Sequence, residues 1–134
     1  MDSGSIEVIY KVWEQCRNST GVNILGYCLM QNHIHFILWS EHGTAIRQFL
    51  HTMTALTSKK LQKGGDFWKE RPRIFPIYSR KVFMTKLDYM HQNPVRAGLV
   101  ADPADWPDSS YKQLVFGYED KGFRCDNFSI LPLV

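Results

Sequence analysis

The chain has 134 residues, 44% of them hydrophobic and 22% charged, and a formal charge of +3. That length supports one domain, and a chain of this size buries roughly two-thirds of its unfolded surface, so a core needs neither disulfides nor a structural metal. The composition excludes disorder as the main state, and the apolar stretches fall short of the roughly 18 residues that span a bilayer.

The first residues, MDSGSIEV, lack the basic and apolar blocks of a secretory leader, which predicts a cytoplasmic chain. Residues 5–17 read as an amphipathic helix, because Ile6, Ile9, Trp13 and Cys16 recur at helical spacing. Asn18 to Gly21 supplies its stop. Residues 23–40 read as two strands: NILGYCLM and HIHFILW are apolar runs joined by the polar pair Gln31-Asn32, the pattern of a β-hairpin. Residues 44–63 form the clearest helix, with Ile46, Phe49, Leu50, Met53, Leu56 and Leu61 near the 3.6 period and Gly64-Gly65 ending it.

Residues 66–83 read as loop and strand. Pro72 and Pro76 confine any strand there to an edge or to a late start near Ile77. Thr85 is the expected N-cap of a helix containing LDYMHQN, and Pro94 either kinks that helix or separates it from a short turn ending at Gly98. From Asp102 onward the chain is rich in proline and turn residues, and Trp106, Tyr111 and Phe116 are expected to pack it against the core. The order predicts an α+β sandwich, antiparallel strands with helices on one face, in one domain over 1–134 with 118–134 as a C-terminal tail.

Charge is unevenly spread. Lys59, Lys60, Lys63, Lys69, Arg71, Arg73, Arg80 and Lys81 face only Asp66 and Glu70, so this segment carries +6 and the remainder −3. A concentrated basic segment is the footprint of a polyanion binder. Phe67, Trp68, Phe75 and Tyr78 lie among these charges. The three cysteines, Cys16, Cys28 and Cys125, are an odd number without CxxC spacing, which predicts buried thiols rather than a disulfide frame or a zinc site.

Two clusters carry chemistry. His33 and His35 alternate on a strand, so they point the same way with α-carbons about 7 Å apart and can converge on one metal. The plain alternative is a polar pair on the solvated side of the strand. Tyr89 and Asn93 are four apart, which on a helix places them on one face. A tyrosine hydroxyl can be a nucleophile, but its ordinary pKa near 10 keeps it protonated, so it needs a base or an electrophilic, metal-bound substrate. The alternative is an aromatic packed on the sheet. His91 and Gln92 lie off the Tyr89–Asn93 face.

YCLMQNHIHFILW resembles the strand-turn-strand of HUH single-tyrosine transposases, a group that includes insertion-sequence transposases and REP-associated tyrosine transposases. DYMHQNPVRAGLV is similar to their tyrosine helix, DFWKERPRIFPIYSRK to their basic strand region and ADPADWPDSSYKQLVFG to the segment after it. The resemblance runs from about residue 5 to 117. It implies a ferredoxin-like antiparallel sheet whose first strand this chain lacks, leaving an exposed edge for pairing with a second copy. By position it implies Tyr89 as nucleophile, and His33, His35 and Asn93 as ligands of magnesium or manganese. Gln31 replaces the usual proline of the turn.

The implied activity is nicking and joining of single-stranded DNA beside hairpins through a 5′-phosphotyrosine intermediate. The eight basic residues just named would track the DNA backbone, and Trp68, Phe75 or Tyr78 could stack on bases. The alternative is a truncated, catalytically inactive protein that still grips hairpin DNA. A histidine-metal hydrolase ranks last, because no carboxylate near the histidine pair could serve as its base.

Overall fold

The computed structural model describes residues 2–62, 74–117 and 122–131. Its elements are α1 (Ser3–Thr20), β1 (Asn23–Leu29), β2 (Ile34–Trp39), α2 (Gly43–Lys60), α3 (Arg80–His91), α4 (Asn93–Arg96) and α5 (Tyr111–Val115). Short 3-10 turns follow at Pro103–Asp105 and Phe128–Ile130. The class is α+β, as expected.

Asp2 caps α1 by accepting the Ser5 N–H at 2.7 Å, and Gly21 ends it at φ 73°, a left-handed position suited to glycine. β1 and β2 pair antiparallel from Asn23↔Trp39 to Leu29↔Ile34. Met30 then donates to the His33 carbonyl at 2.9 Å, which leaves Gln31 and Asn32 as a two-residue turn. Neither adopts positive φ, so the turn is not of the type that requires Asn-Gly.

Side chains alternate across this ribbon, and both faces are covered. Ile24, Tyr27, Leu29, Ile34, Phe36 and Leu38 pack against Ile9, Val12, Trp13 and Cys16 of α1 and Phe49 and Met53 of α2. On the other face Leu25, Cys28, Met30, Ile37 and Trp39 meet Phe83, Leu87 and Met90 of α3. Helices thus occupy both faces, not one. The reason is visible in β1, six of whose seven residues are buried, as in a strand covered from both sides.

A β-bulge between Ile24 and Gly26 makes the double coverage possible. Leu25 is the extra residue, so Leu25 and Gly26 both face α3. Gly26 has no room for a side chain: a Cβ there would lie 2.7 Å from Leu87 Cδ1 and 3.0 Å from Met90 Cε. Glycine lets α3 lie directly on the strand.

The C-terminal segment laces these layers together. It runs along the free edge of β1, where Leu29 donates to Asp108 O at 2.8 Å, Ser110 N–H to Tyr27 O at 3.0 Å and Asp126 N–H to Ile24 O at 2.8 Å. Arg17 on α1 reaches the Arg124 carbonyl at 2.8 Å and the Asp126 carboxylate at 3.2 Å, and Asp126 accepts the Ile24 N–H at 2.8 Å. Phe123 sits in the aromatic cluster with Trp13 and Tyr27. Phe123 and Leu131 of the expected tail are therefore core residues. Trp106 packs beneath α3's side and donates to Leu29 O at 3.0 Å, whereas Phe116 is exposed.

Two local expectations change. Residues 74–78 form no strand, and α3 begins at Arg80 with Ser79 as cap, its hydroxyl accepting the Val82 N–H at 3.1 Å. Thr85 is mid-helix and donates back to the Lys81 carbonyl at 3.0 Å. Gly64-Gly65 and Trp68 lie outside the described residues; Leu61 and then Gln62, at φ 55°, close α2. Among the described residues no helix is long and apolar enough to cross a membrane.

Ser110 is fully buried at the junction of β1 and α3. Its hydroxyl accepts the Tyr27 N–H at 3.0 Å and lies 2.8 Å from His91 Nε2. Removing it leaves two buried polar groups without a partner, so Ser110→Ala should destabilise the fold by about 1–3 kcal/mol, measured as a lowered midpoint in urea unfolding.

Candidate functional site

The histidine pair sits where the hairpin turn meets β2. The rings of His33 and His35 are 4.9 Å apart by centroid and nearly perpendicular, at 84°. His33 Nδ1 lies 2.8 Å from Asn32 Oδ1. An amide oxygen can only accept, so Nδ1 carries a proton, and this contact selects the neutral tautomer that presents Nε2 as the free ligand nitrogen. His35 shares its parity with Ile37 and Trp39, and so points to the face covered by α3. Burial above all, then the neighbouring His33 and the Arg96 guanidinium, hold the His35 imidazole below its ordinary pKa. It is neutral at pH 7 and able to bind a cation. Cys28, opposite His35 in the ladder, is fully buried, and burial first and Asp108 second push its thiol up to about 12, away from the thiolate that metal binding needs.

Tyr89 and Asn93 come from α3 and α4. Helix α3 ends at His91, with Gln92 as its C-cap, and α4 restarts at Asn93 with Pro94 in its first turn. The two side chains remain on one side of the chain, linked by Arg96. The Arg96 guanidinium lies 3.6 Å from the Tyr89 ring centroid. Its Nη2 donates to the Tyr89 carbonyl at 2.7 Å and to Asn93 Oδ1 at 2.6 Å. Tyr89 is 62% exposed, unusual for an aromatic on a core-facing helix. By contrast Asn93 Nδ2 is buried with no hydrogen-bond partner among the described residues. The charged bond from Arg96 fixes which way the amide points, since a flip would set Nδ2 against the guanidinium.

This donor set suits a divalent cation. Two imidazole nitrogens and an amide oxygen leave coordination positions open, and imidazole favours manganese over magnesium. The Nδ1 bond from His33 to Asn32 is of the kind that orients a ligating histidine. Asn93 Oδ1 has a second lone pair beyond the one Arg96 uses. Among the described residues no cluster of three or more His, Cys, Asp or Glu side chains could hold a metal, so a site built from them would also take an amide or solvent.

Of the basic residues, Lys59 and Lys60 end α2 and Arg80 and Lys81 open α3; all four are exposed. Lys63, Lys69, Arg71 and Arg73 lie outside the described residues. Phe75 and Tyr78 are 69% and 82% exposed, and the Lys86 ammonium lies 5.8 Å from the Phe75 ring. Large apolar rings left open to water beside cations form a surface on which bases could stack. Arg96 is the residue that motif reading passed over. Its signal was spacing: Tyr89, Asn93 and Arg96 stand at i, i+4 and i+7.

Residues 2–96 match the family model described as "Transposase IS200 like". No curated protein and no solved structure matches the chain.

His91, which faces away from the Tyr89 side, is structural. It is buried, stacked edge-on to Tyr111 at 5.5 Å and held by Ser110. Burial lowers its pKa to about 4, with only partial relief from Asp88. The unfolded chain binds that proton near pH 6.5, so folding stability is retained above about pH 6.5 and lost as pH falls towards 4. The full loss amounts to about 3 kcal/mol. Unfolding in urea at pH 7.5 and 5 should show about 2 kcal/mol of this loss in the wild type and a flatter profile in His91→Gln.

Proposed function

The chain belongs to the IS200-like transposase family, and from that premise we propose that it nicks and rejoins single-stranded DNA beside a hairpin through a phosphotyrosine at Tyr89. One observation carries this reading. An exposed tyrosine is stacked on Arg96, which also bonds the amide of Asn93, and α3 covers the face of the hairpin to which His35 points by its parity with Ile37 and Trp39. That shared side of the hairpin supports a site drawn from the tyrosine, the amide and the histidine pair.

In this reading Tyr89 attacks the scissile phosphorus. Its phenolic proton passes to solvent, the bond from phosphorus to the 3′ oxygen breaks, and that oxygen leaves with a proton from water. The product is a 5′-phosphotyrosine and a free 3′-hydroxyl. Attack by a second 3′-hydroxyl reverses the step and joins new DNA, without a nucleotide cofactor. A magnesium or manganese ion held by His33, His35 and Asn93 Oδ1 would supply Lewis-acid polarisation of the phosphodiester. The four exposed basic residues at the ends of α2 and α3 track the strand, with Lys63, Lys69, Arg71 and Arg73 between them in sequence. Phe75 and Tyr78 offer their faces to unpaired bases. The edge of β2 away from β1, unpaired among the described residues, is where a second copy would add a strand. On this reading the protein works on DNA in the cytoplasm.

Incubation with hairpin-flanked single-stranded DNA and manganese, followed by a denaturing gel, tests the proposal. The wild type should give a covalent protein–DNA band. Tyr89→Phe should abolish it without changing the thermal midpoint, since the hydroxyl is exposed. His33→Ala and His35→Ala should each cut adduct formation by at least about a hundredfold, the scale on which loss of a transition-state electrostatic contact is felt. Salt-sensitive binding with no band from the wild type would instead make the chain a hairpin-DNA-binding protein.

A further inference from the structure

Arg96 makes more contacts than its place in the chain requires. An arginine after a helix C-terminus often bonds the last free carbonyls, and the 2.7 Å bond to Tyr89 O is of that kind. A cap does not need the other two contacts, the stacking on Tyr89 and the 2.6 Å bond to Asn93 Oδ1. Both protons of Nη2 are used by these two bonds. The remaining N–H groups, on Nε and Nη1, meet no acceptor among the described residues, and the side chain is exposed. It forms no ion pair there either.

A guanidinium anchored on one nitrogen and open along its other edge is a preformed receiver for a tetrahedral oxyanion. Its planar fork matches two phosphate oxygens, and its stacking on an aromatic ring costs it none of these donors. Its surroundings also call for an anion. The guanidinium sits on the same amide oxygen that a divalent cation would use. Two cations around one oxygen repel, and a phosphodiester between them would relieve that repulsion.

We propose that Arg96 binds the scissile phosphate and positions the Tyr89 ring beside it. The proposal rests on the nicking reading above and deepens it. Stacking fixes the plane of the ring while leaving its hydroxyl free at the exposed end. The bond to Asn93 keeps the amide oxygen turned towards the same point. Lysine could supply the charge, but neither the fork nor the flat face.

Arg96→Lys and Arg96→Met test it, with folding checked by thermal unfolding; an exposed side chain should leave the midpoint nearly unchanged. At saturating hairpin DNA both variants should slow adduct formation by about ten- to a hundredfold, the loss expected for a charge-assisted hydrogen bond. Methylguanidinium added to Arg96→Ala should restore part of the rate. In a Tyr89→Phe background, where no adduct forms, Arg96→Met should lower the slope of log affinity against log salt by about 0.7, the value for one phosphate contact on a single strand. Wild-type rates in both variants with an unchanged slope overturn the proposal. So does a slow Arg96→Lys with an unchanged slope and no rescue, which reduces Arg96 to a helix cap. If the wild type itself forms no adduct, the nicking reading fails, and the salt slope alone still decides whether Arg96 takes a phosphate.

Discussion

A two-stranded ribbon with apolar side chains on both faces cannot stand alone in water. The other described elements answer that constraint. Among the described residues the sheet is β1 and β2, yet β1 is almost wholly buried. Helices α1 and α2 cover one face, α3 covers the other, and the segments around Asp108 and Asp126 cover the edge. The hairpin that carries the histidine pair is thereby held from three sides. Among the described residues, the turn, the start of β2 and its outer edge are left for chemistry or partners.

The two faces are held by different means. On the α1–α2 face the contact is aromatic: Trp13 meets Tyr10, Tyr27, Phe36 and Phe123 edge-on, with centroids 4.8 to 5.3 Å away. Such packing is broad and tolerant of small shifts. On the α3 face the fit is closer. Gly26 brings the helix onto the strand backbone, and Ser110 bonds β1 and His91 together through one hydroxyl. That is the face on which Tyr89 and Asn93 must be placed relative to His35, and it is built from short polar bonds and a missing side chain rather than from bulk.

Periodicity made much of this legible. The first helix, the hairpin and the long second helix were readable because each buries a stripe or an alternate set of side chains. The start of α3 was not: Phe75, Pro76, Ile77 and Tyr78 resemble a strand by composition, but Phe75 and Tyr78 are mostly exposed and no described strand pairs with the segment. Thr85 was the expected cap, whereas it is Ser79 that accepts the Val82 N–H. The histidine spacing and the Tyr89–Asn93 interval were readable as candidates. Arg96 was hidden because its role depends on a break at Pro94 that still leaves three side chains in line across two helices. The core residues of the tail, Phe123 and Leu131, were not legible, because they are isolated apolar positions among turn formers, with no period to reveal them.

The bulge at Leu25 and Gly26 also acts as a phase break. From the turn at Gln31-Asn32 back to Gly26, the pairing is counted from the hairpin end, and it sets the direction of His33 and His35. Before the bulge, Ile24 is fixed separately by Asp126 and through it by Arg17. A residue gained or lost where α1 runs into β1 can be absorbed at this joint instead of travelling down the ladder and turning the imidazoles to the opposite face. The fold thus insulates the aim of its histidines from length changes on the helix side, so that the junction can drift while the site stays in register.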